Sequence, residues 1–454
     1  MEKSKSSLFS RFGINSDRTK NIVKHMGWST LYKVGGIVSG FLIVPLTMNY
    51  LDKENYGVWL TLSSFVIWFS FFDIGLGSGL RNKFAEAKAK GDLELAKTYV
   101  SCAYFTIGFI SLCLIVLFII CNFFIKWSTV FNTTTELDDD LSILMPVVFV
   151  FFGLQLVVKL INTIYAADQH HSIYHKIEFA TKVLSLLMVW VLLNFQPGSL
   201  LLYGVIFSAI PVLILLTLNF ISFSSTYNKY KPSYKYFKLE YLKEITGIGL
   251  NFFIIQIAFM VLMSTDNFVI TQIFGPEEVV PYSIAQKYFS ILFVAHTVLV
   301  SPYWSSITEA YVNNDIKWIR NSVKNVQRIW LMFPVLMLIM VLLSNWFYKI
   351  WVGDEVVVPI ELSCSMALFV LLLTYQSIYI QFLNGTGKIR LQTYISFVTM
   401  TLNIPLSIFL AKTLNFGLSG VVLASCVMLT IPLIFYQIQY EKIILNRAKG
   451  IWNQ

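Results

Sequence analysis

The sequence predicts an all-α polytopic membrane protein, and three observations carry that prediction. First, of 454 residues 56% are hydrophobic and only 13% charged, with a mean hydropathy of +0.67. A soluble chain of this length needs more charge to cover its surface. Second, apolar runs of about 20 residues recur from end to end, each long enough to cross a hydrocarbon core of about 30 Å as a helix. Third, these runs are continuously apolar and lack the alternation of barrel strands. Only helices and closed barrels satisfy the backbone in lipid.

About twelve transmembrane helices are expected. They lie near 28–50, 56–80, 98–124, 141–166, 177–195, 199–222, 246–273, 283–308, 329–352, 362–384, 390–411 and 417–439. Residues 1–24 are polar and basic and carry no cleavable signal pattern. Cys102, Cys113, Cys121, Cys364 and Cys426 sit in apolar runs without CxxC spacing and read as packing residues.

Lysine and arginine set the orientation. They gather in the N-terminal arm, at 81–97, at Lys176, in 223–245, in 317–328, at Lys388 and Arg390, and at the C-terminal end. The opposite side holds Lys53, Lys126, Lys349 and Lys412. The positive-inside rule then places both termini in the cytoplasm. The net charge of +9 reports topology and anionic lipid headgroups, and no nucleic acid partner is expected.

The basic and aromatic stretch "FSSTYNKYKPSYKYFKLEYLKEI", 223–245, divides the chain into an N-terminal lobe, 1–222, and a C-terminal lobe, 246–454, of six spans each. It reads as a hinge or as an interfacial linker lying on the lipid surface. The lobes carry a weak internal repeat. Glu54 and Glu277, Ser78 and Ser301, Glu86 and Glu309, Asp92 and Asp315, and Lys97 and Arg320 pair at one constant offset. Two parallel, pseudo-symmetric six-helix lobes with a cavity between them would follow.

Charges inside spans cost roughly 2.5–3.5 kcal/mol on insertion scales and call for an explanation. They are Lys33, Asp73, Lys159, Lys182, Asp266, Lys287 and His296. Each has a structural reading. Glu178 precedes Lys182 by the spacing of a local ion pair; Lys33 and Lys287 reach toward span ends; His296 and the two aspartates serve as bundle hydrogen-bond or ion partners. The functional reading rests on company. Gln286, Ser290, Thr297, Ser301 and Ser305 follow helical spacing around His296, and Asn267 adjoins Asp266. Lys33, Gly36, Gly40 and Thr47 share a stripe. On this reading Lys33, Lys159, Lys182 and Lys287 make a cavity cationic, suited to acidic or phosphorylated cargo. Asp73, Asp266 and His296 are then candidates for coupling or gating. No HExxH, Walker or GxSxG pattern is present, so no enzymatic activity, metal or cofactor is expected beyond a coupling Na+ or H+.

In "FFDIGLGSGLRNKFAEAKAKGD", 71–92, Gly75, Gly77 and Gly79 lack GxGxxG spacing and follow a span, so Gly75 and Gly79 read as a GxxxG helix contact. This stretch, with "YLDKENYGVW" (50–59) and "STDNFVITQIFGPEEVVPY" (264–282), resembles the polysaccharide transporters of the O-antigen and capsule type. Those are flippases of the multidrug/oligosaccharidyl-lipid/polysaccharide exporter (MOP) superfamily. The resemblance implies a MATE-like, V-shaped bundle in the bacterial inner membrane. It implies translocation of undecaprenyl-diphosphate-linked oligosaccharide to the periplasmic leaflet by ion-coupled alternating access, alongside other polysaccharide assembly proteins. A multidrug antiporter of the same fold and a membrane glycosyltransferase or polymerase are the alternatives.

Overall fold

A computed structural model describes residues 17–69, 76–168, 170, 172–246, 250–300 and 303–454. Asp73, Gly75 and Ser301 lie outside them, as does the side chain of Ser305. Among the described residues the regular structure is helical, and 11 helices are long and apolar enough to cross a membrane. The expected second span covers α2 and the start of α3, on either side of the undescribed 70–75.

The helices are α1 Asp17–Tyr50, α2 Lys53–Phe69, α3 Leu76–Ala89, α4 Leu93–Asn122, α5 Trp127–Phe131, α6 Asp138–Val158, α7 Leu160–Ala167, α8 Ser172–Phe195 and α9 Leu200–Ser224. The short α10, Leu242–Thr246, closes the linker. There follow α11 Leu250–Phe274, α12 Val279–Val300, α13 Tyr303–Val312, α14 Ile316–Trp330, α15 Met332–Val352, α16 Ile360–Thr386, α17 Arg390–Ile408 and α18 Gly417–Ile444. They form two compact units. The first comprises Met1–Tyr50, Phe72–Ile125 and Asp139–Ile248; the second comprises Leu51–Phe71, Lys126–Asp138 and Gly249–Gln454.

The sequence repeat has a local structural counterpart. In the first unit the turn after α3 passes through Gly91, whose φ of 75° disfavours a Cβ-bearing residue, and Asp92 then caps α4 by accepting from the Leu95 amide at 2.9 Å. In the second unit Asn314, φ 58°, precedes Asp315, which accepts from the Trp318 amide at 3.0 Å. Asp92 and Asp315 also donate their amides to Ala87 and Ala310 at 3.0 and 2.8 Å. Asparagine tolerates the left-handed conformation, so one turn is written with two different residues.

In the first unit α1 packs along α8, where Gly35 admits the Phe179 ring. Thr47 is buried and hydrogen-bonds to Tyr203 of α9 at 3.0 Å. The linker lies on α3 and α4. Ser233 donates its amide to Ser101 Oγ at 3.1 Å, and the Lys238 amide donates to the buried Cys102 Sγ at 3.4 Å. Tyr99 donates to Glu244 at 2.7 Å, and Tyr230 packs edge-on against Phe84 at 5.0 Å. The close approach of Gly79 is to this linker: a Cβ there would stand 1.6 Å from the Ile245 carbonyl oxygen. The glycine expected at a helix–helix crossing thus admits the backbone of α10.

In the second unit α16 is central, with Tyr379, Phe382 and Leu383 in one core with Tyr436, Ile307 and Ile319. Polar pairs join α2 to α11: Thr61 to Thr271 at 2.6 Å, and Asn267 to Ser64 at 2.8 Å. Interhelical hydrogen bonds of this kind contribute about 0.6 kcal/mol each within a membrane.

Candidate functional site

A break between α6 and α7 builds the principal site. The sequence has neither proline nor glycine there, yet the helix is interrupted at Lys159. The Val158 carbonyl accepts instead from Asn219 Nδ2 of α9 at 2.7 Å. Asn219 is fixed in turn by Tyr104, which donates to its Oδ1 at 2.8 Å. Inserting a side chain into the helix ladder is a recognised cause of a kink. Beyond it Lys159, Asn162, Thr163 and Ala166 share one face and line a cavity of about 380 Å³. Gly77 and Arg81 of α3 join them, with His170, Tyr174 and His175 at the start of α8.

The adjoining carboxylates are engaged. Asp168 accepts from Lys88 Nζ at 2.6 Å and from the Tyr227 hydroxyl at 2.8 Å. Burial, reinforced by Asp168, pushes the Tyr227 phenol above its ordinary range, so it remains a donor. Tyr165 meets the Tyr227 ring edge-on at 5.0 Å and accepts the His170 amide on its carbonyl at 2.9 Å. The linker's first residues therefore brace the turn that carries His170. Glu178 accepts from Lys182 at 3.1 Å, the local pair that the spacing predicts, and stands 3.8 Å from His175. Basic groups thus dominate the cavity wall.

The candidates of the first unit fall into two groups. Lys159 lines the cavity itself. Lys33 is half-buried within electrostatic reach of His175, and Lys182 reaches over Gly36, where a Cβ would stand 3.8 Å from its Nζ. Arg81, His170 and His175 were not among the expected residues. Arg81 and His170 flank spans, where a charge needs no special explanation. The i, i+4 spacings of Gly77 with Arg81 and His170 with Tyr174 could have pointed to them.

In the second unit Asp266 is 3% exposed and accepts from Tyr282 at 2.8 Å. Ser425 of α18 stands beside the carboxylate and accepts from Asn403 Nδ2 at 3.1 Å. Gln286 donates to the Tyr282 hydroxyl at 3.4 Å. A hydroxyl, not a lysine, is the observed partner. His296 is 2% exposed, with Nδ1 3.2 Å from the Ser377 hydroxyl and its ring edge-on to Phe333. Ser290 and Thr297 turn back on their own helix, donating to the Lys287 and Val294 carbonyls at 2.7 and 2.8 Å. Lys287 is half-buried on α12.

Residues 252–409 match the MatE family model. The whole fold is similar to a multidrug resistance MATE family transporter of the MOP superfamily in an inward-facing conformation, at a TM-score of 0.71 and 13% identity, covering 93% of this chain and 96% of that one. The fold is therefore MATE-like. The fold is also similar to that of a MOP superfamily transporter from Pyrococcus furiosus, at a TM-score of 0.63 and 14% identity over 94% of each chain. A protein of Salmonella typhi named "Putative O-antigen transporter" is 25% identical over 301 residues. That alignment covers 64% of this chain and 65% of the relative. A Salmonella typhimurium protein of the same name is 25% identical over 301 residues, 64% of the chain and 66% of the relative. The MATE-like fold expected from the resemblance is thus the fold observed.

Proposed function

We propose that the protein is a flippase for undecaprenyl-diphosphate-linked oligosaccharide, moving O-antigen or capsule repeat units from the cytoplasmic to the periplasmic leaflet of the bacterial inner membrane. The observation that carries this reading is the basic cavity, where Arg81, Lys159, His170 and His175 converge. A diphosphate needs convergent donors, which the cationic Arg81 and Lys159 and the two imidazoles can supply, and a partly dehydrated wall strengthens the charged contacts. The name of the two Salmonella relatives supports the same cargo class. In this reading the halves 1–222 and 246–454 alternate in exposing the cavity, both termini are cytoplasmic, and the polyprenyl tail remains in lipid. In a deletion strain without a redundant flippase, polyprenyl-linked repeat units accumulate on the cytoplasmic leaflet. Their normal arrival in the periplasm would sink the assignment.

Asp266 is the coupling candidate, since a buried carboxylate held by hydroxyls can exchange a proton or meet a Na+ ion. Asp266→Asn preserves the shape and the acceptor for Tyr282 but removes the charge. Transport by this variant is expected to lose its dependence on the ion gradient, measured in vesicles with an imposed Na+ or proton gradient. An unchanged dependence removes Asp266 from the mechanism.

The rival is a cation antiporter of the same fold, which this same buried carboxylate favours. It predicts drug hypersensitivity in the deletion strain with normal surface polysaccharide.

A further inference from the structure

The linker between the halves is clamped on its inner face and bare on its outer face. Inward, Tyr227, Tyr230 and Ile245 are buried. Glu244 turns toward Tyr99 and Lys83, the latter at 3.7 Å. Outward, Tyr234 is 78% and Leu239 70% exposed, and Lys231, Lys235 and Lys238 are exposed, the last with its Nζ 5.8 Å from the Tyr241 ring. Glu240 is the one exposed acid of 223–245 not turned inward, so this outer face carries a positive excess.

Its position identifies what it meets. Tyr234 and Phe237 pack edge-on against Phe105 of α4, at 5.8 and 6.0 Å. Phe105 begins a bare stripe, Phe105, Phe109, Leu112 and Val116, that follows helical spacing along α4. In a membrane-spanning helix such a stripe contacts acyl chains. The linker's aromatic rings therefore stand where that stripe ends, at the depth where tyrosine rings partition between hydrocarbon and headgroups. The neighbouring Lys97 is stacked over the Tyr236 ring at 4.6 Å.

We propose that the outer face of residues 231–239 is a docking surface for anionic phospholipid headgroups. Tyr234 and Leu239 enter the acyl–headgroup boundary, and Lys231, Lys235 and Lys238 reach lipid phosphates by extending along it. The charge of the face and its continuity with the acyl-facing stripe of α4 select this occupant over a nucleic acid or an acidic protein. Through Ser101, Cys102 and Asp168 the bound lipid would hold the first unit, cavity included, at a fixed depth.

The test titrates purified full-length protein in detergent with phosphatidylglycerol or phosphatidylcholine and reads bound lipid by native mass spectrometry. Substituting Lys231→Gln, Lys235→Gln and Lys238→Gln together is expected to weaken phosphatidylglycerol retention about tenfold or more. Phosphatidylcholine retention should not change. Lys126→Gln, Lys349→Gln and Lys412→Gln together, which remove equal charge at the other ends of their spans, should leave both lipids unaffected. Protection of Cys102 from maleimide reports whether the linker stays seated. If the triple variant unseats it, Lys235→Gln with Tyr234→Ser is judged by the same criterion. Equal phosphatidylglycerol retention in the variants overturns the proposal. So does equal loss in the control, displacement of the lipid by inorganic phosphate, or tighter retention of an RNA oligonucleotide.

Discussion

Lys159→Ala is expected to lower delivery of lipid-linked oligosaccharide about 10- to 100-fold, the loss of a charge-assisted contact to phosphate at roughly 1.5–3 kcal/mol. The backbone break that presents Lys159 is held through the Val158 carbonyl by Asn219, a contact that the variant retains. Arg81→Ala removes a second donor from the same wall and is expected to deepen the defect. The two effects will not add fully, since both cations serve one cavity. Lys159→Arg restores the charge and should recover much of the activity. Lys349→Ala is the control: this lysine is exposed and pairs with Asp354 at 2.9 Å. Delivery is measured as periplasmic repeat units per inserted protein. Normal delivery by the Lys159→Ala, Arg81→Ala double variant would remove the cavity from the transport path.

Gly79→Ala is expected to have the largest effect on the folded state. Its Cβ would meet the backbone of Ile245, which no rotamer change can move aside. Overpacking costs typically about 1–3 kcal/mol, and a rigid backbone partner puts this site at the upper end. The strain falls on the linker, which should lift from α4. Cys102, buried under the Lys238 amide, then becomes reactive to maleimide. The measurement uses a variant in which Cys113, Cys121, Cys364 and Cys426 are serine or alanine, combined with a thermal melt. Wild-type Cys102 protection with an unchanged melt would show that the observed contact is not retained in the membrane. Gly91→Ala is milder by contrast: open space surrounds its Cβ position, and only the positive φ opposes the change.

Much of the fold was legible because lipid imposes a simple rule. A span must be long, apolar and helical, so composition and length locate α1, α4, α6–α9, α11, α12 and α15–α18 within a few residues. The repeat was legible at Asp92 and Asp315 for a local reason, since an N-cap needs a short side-chain acceptor three residues before the amide it receives. The site was less so. Lys159 and Asp266 stood out because a charge in an apolar run is costly. Arg81 and His170 did not, because a cation at the end of a span is ordinary and its direction depends on which helices flank it.

By itself, then, the sequence determined the fold class and the placement of most spans (about twelve expected, against 11 helices long and apolar enough among the described residues), the Asp92 and Asp315 turn, and which intramembrane charges demand partners. Each follows from interactions within one segment or between that segment and lipid. The tertiary structure decided the partners. Asn219 opens the helix at Lys159 from 60 positions away, Tyr227 of the linker holds the acid beside His170, and Gly79 receives the backbone of Ile245. These depend on side chains meeting across long loops of chain, which no local pattern encodes. The glycines of 71–92 are an example: their spacing announced a close approach, and only packing revealed that the approaching backbone is the linker's.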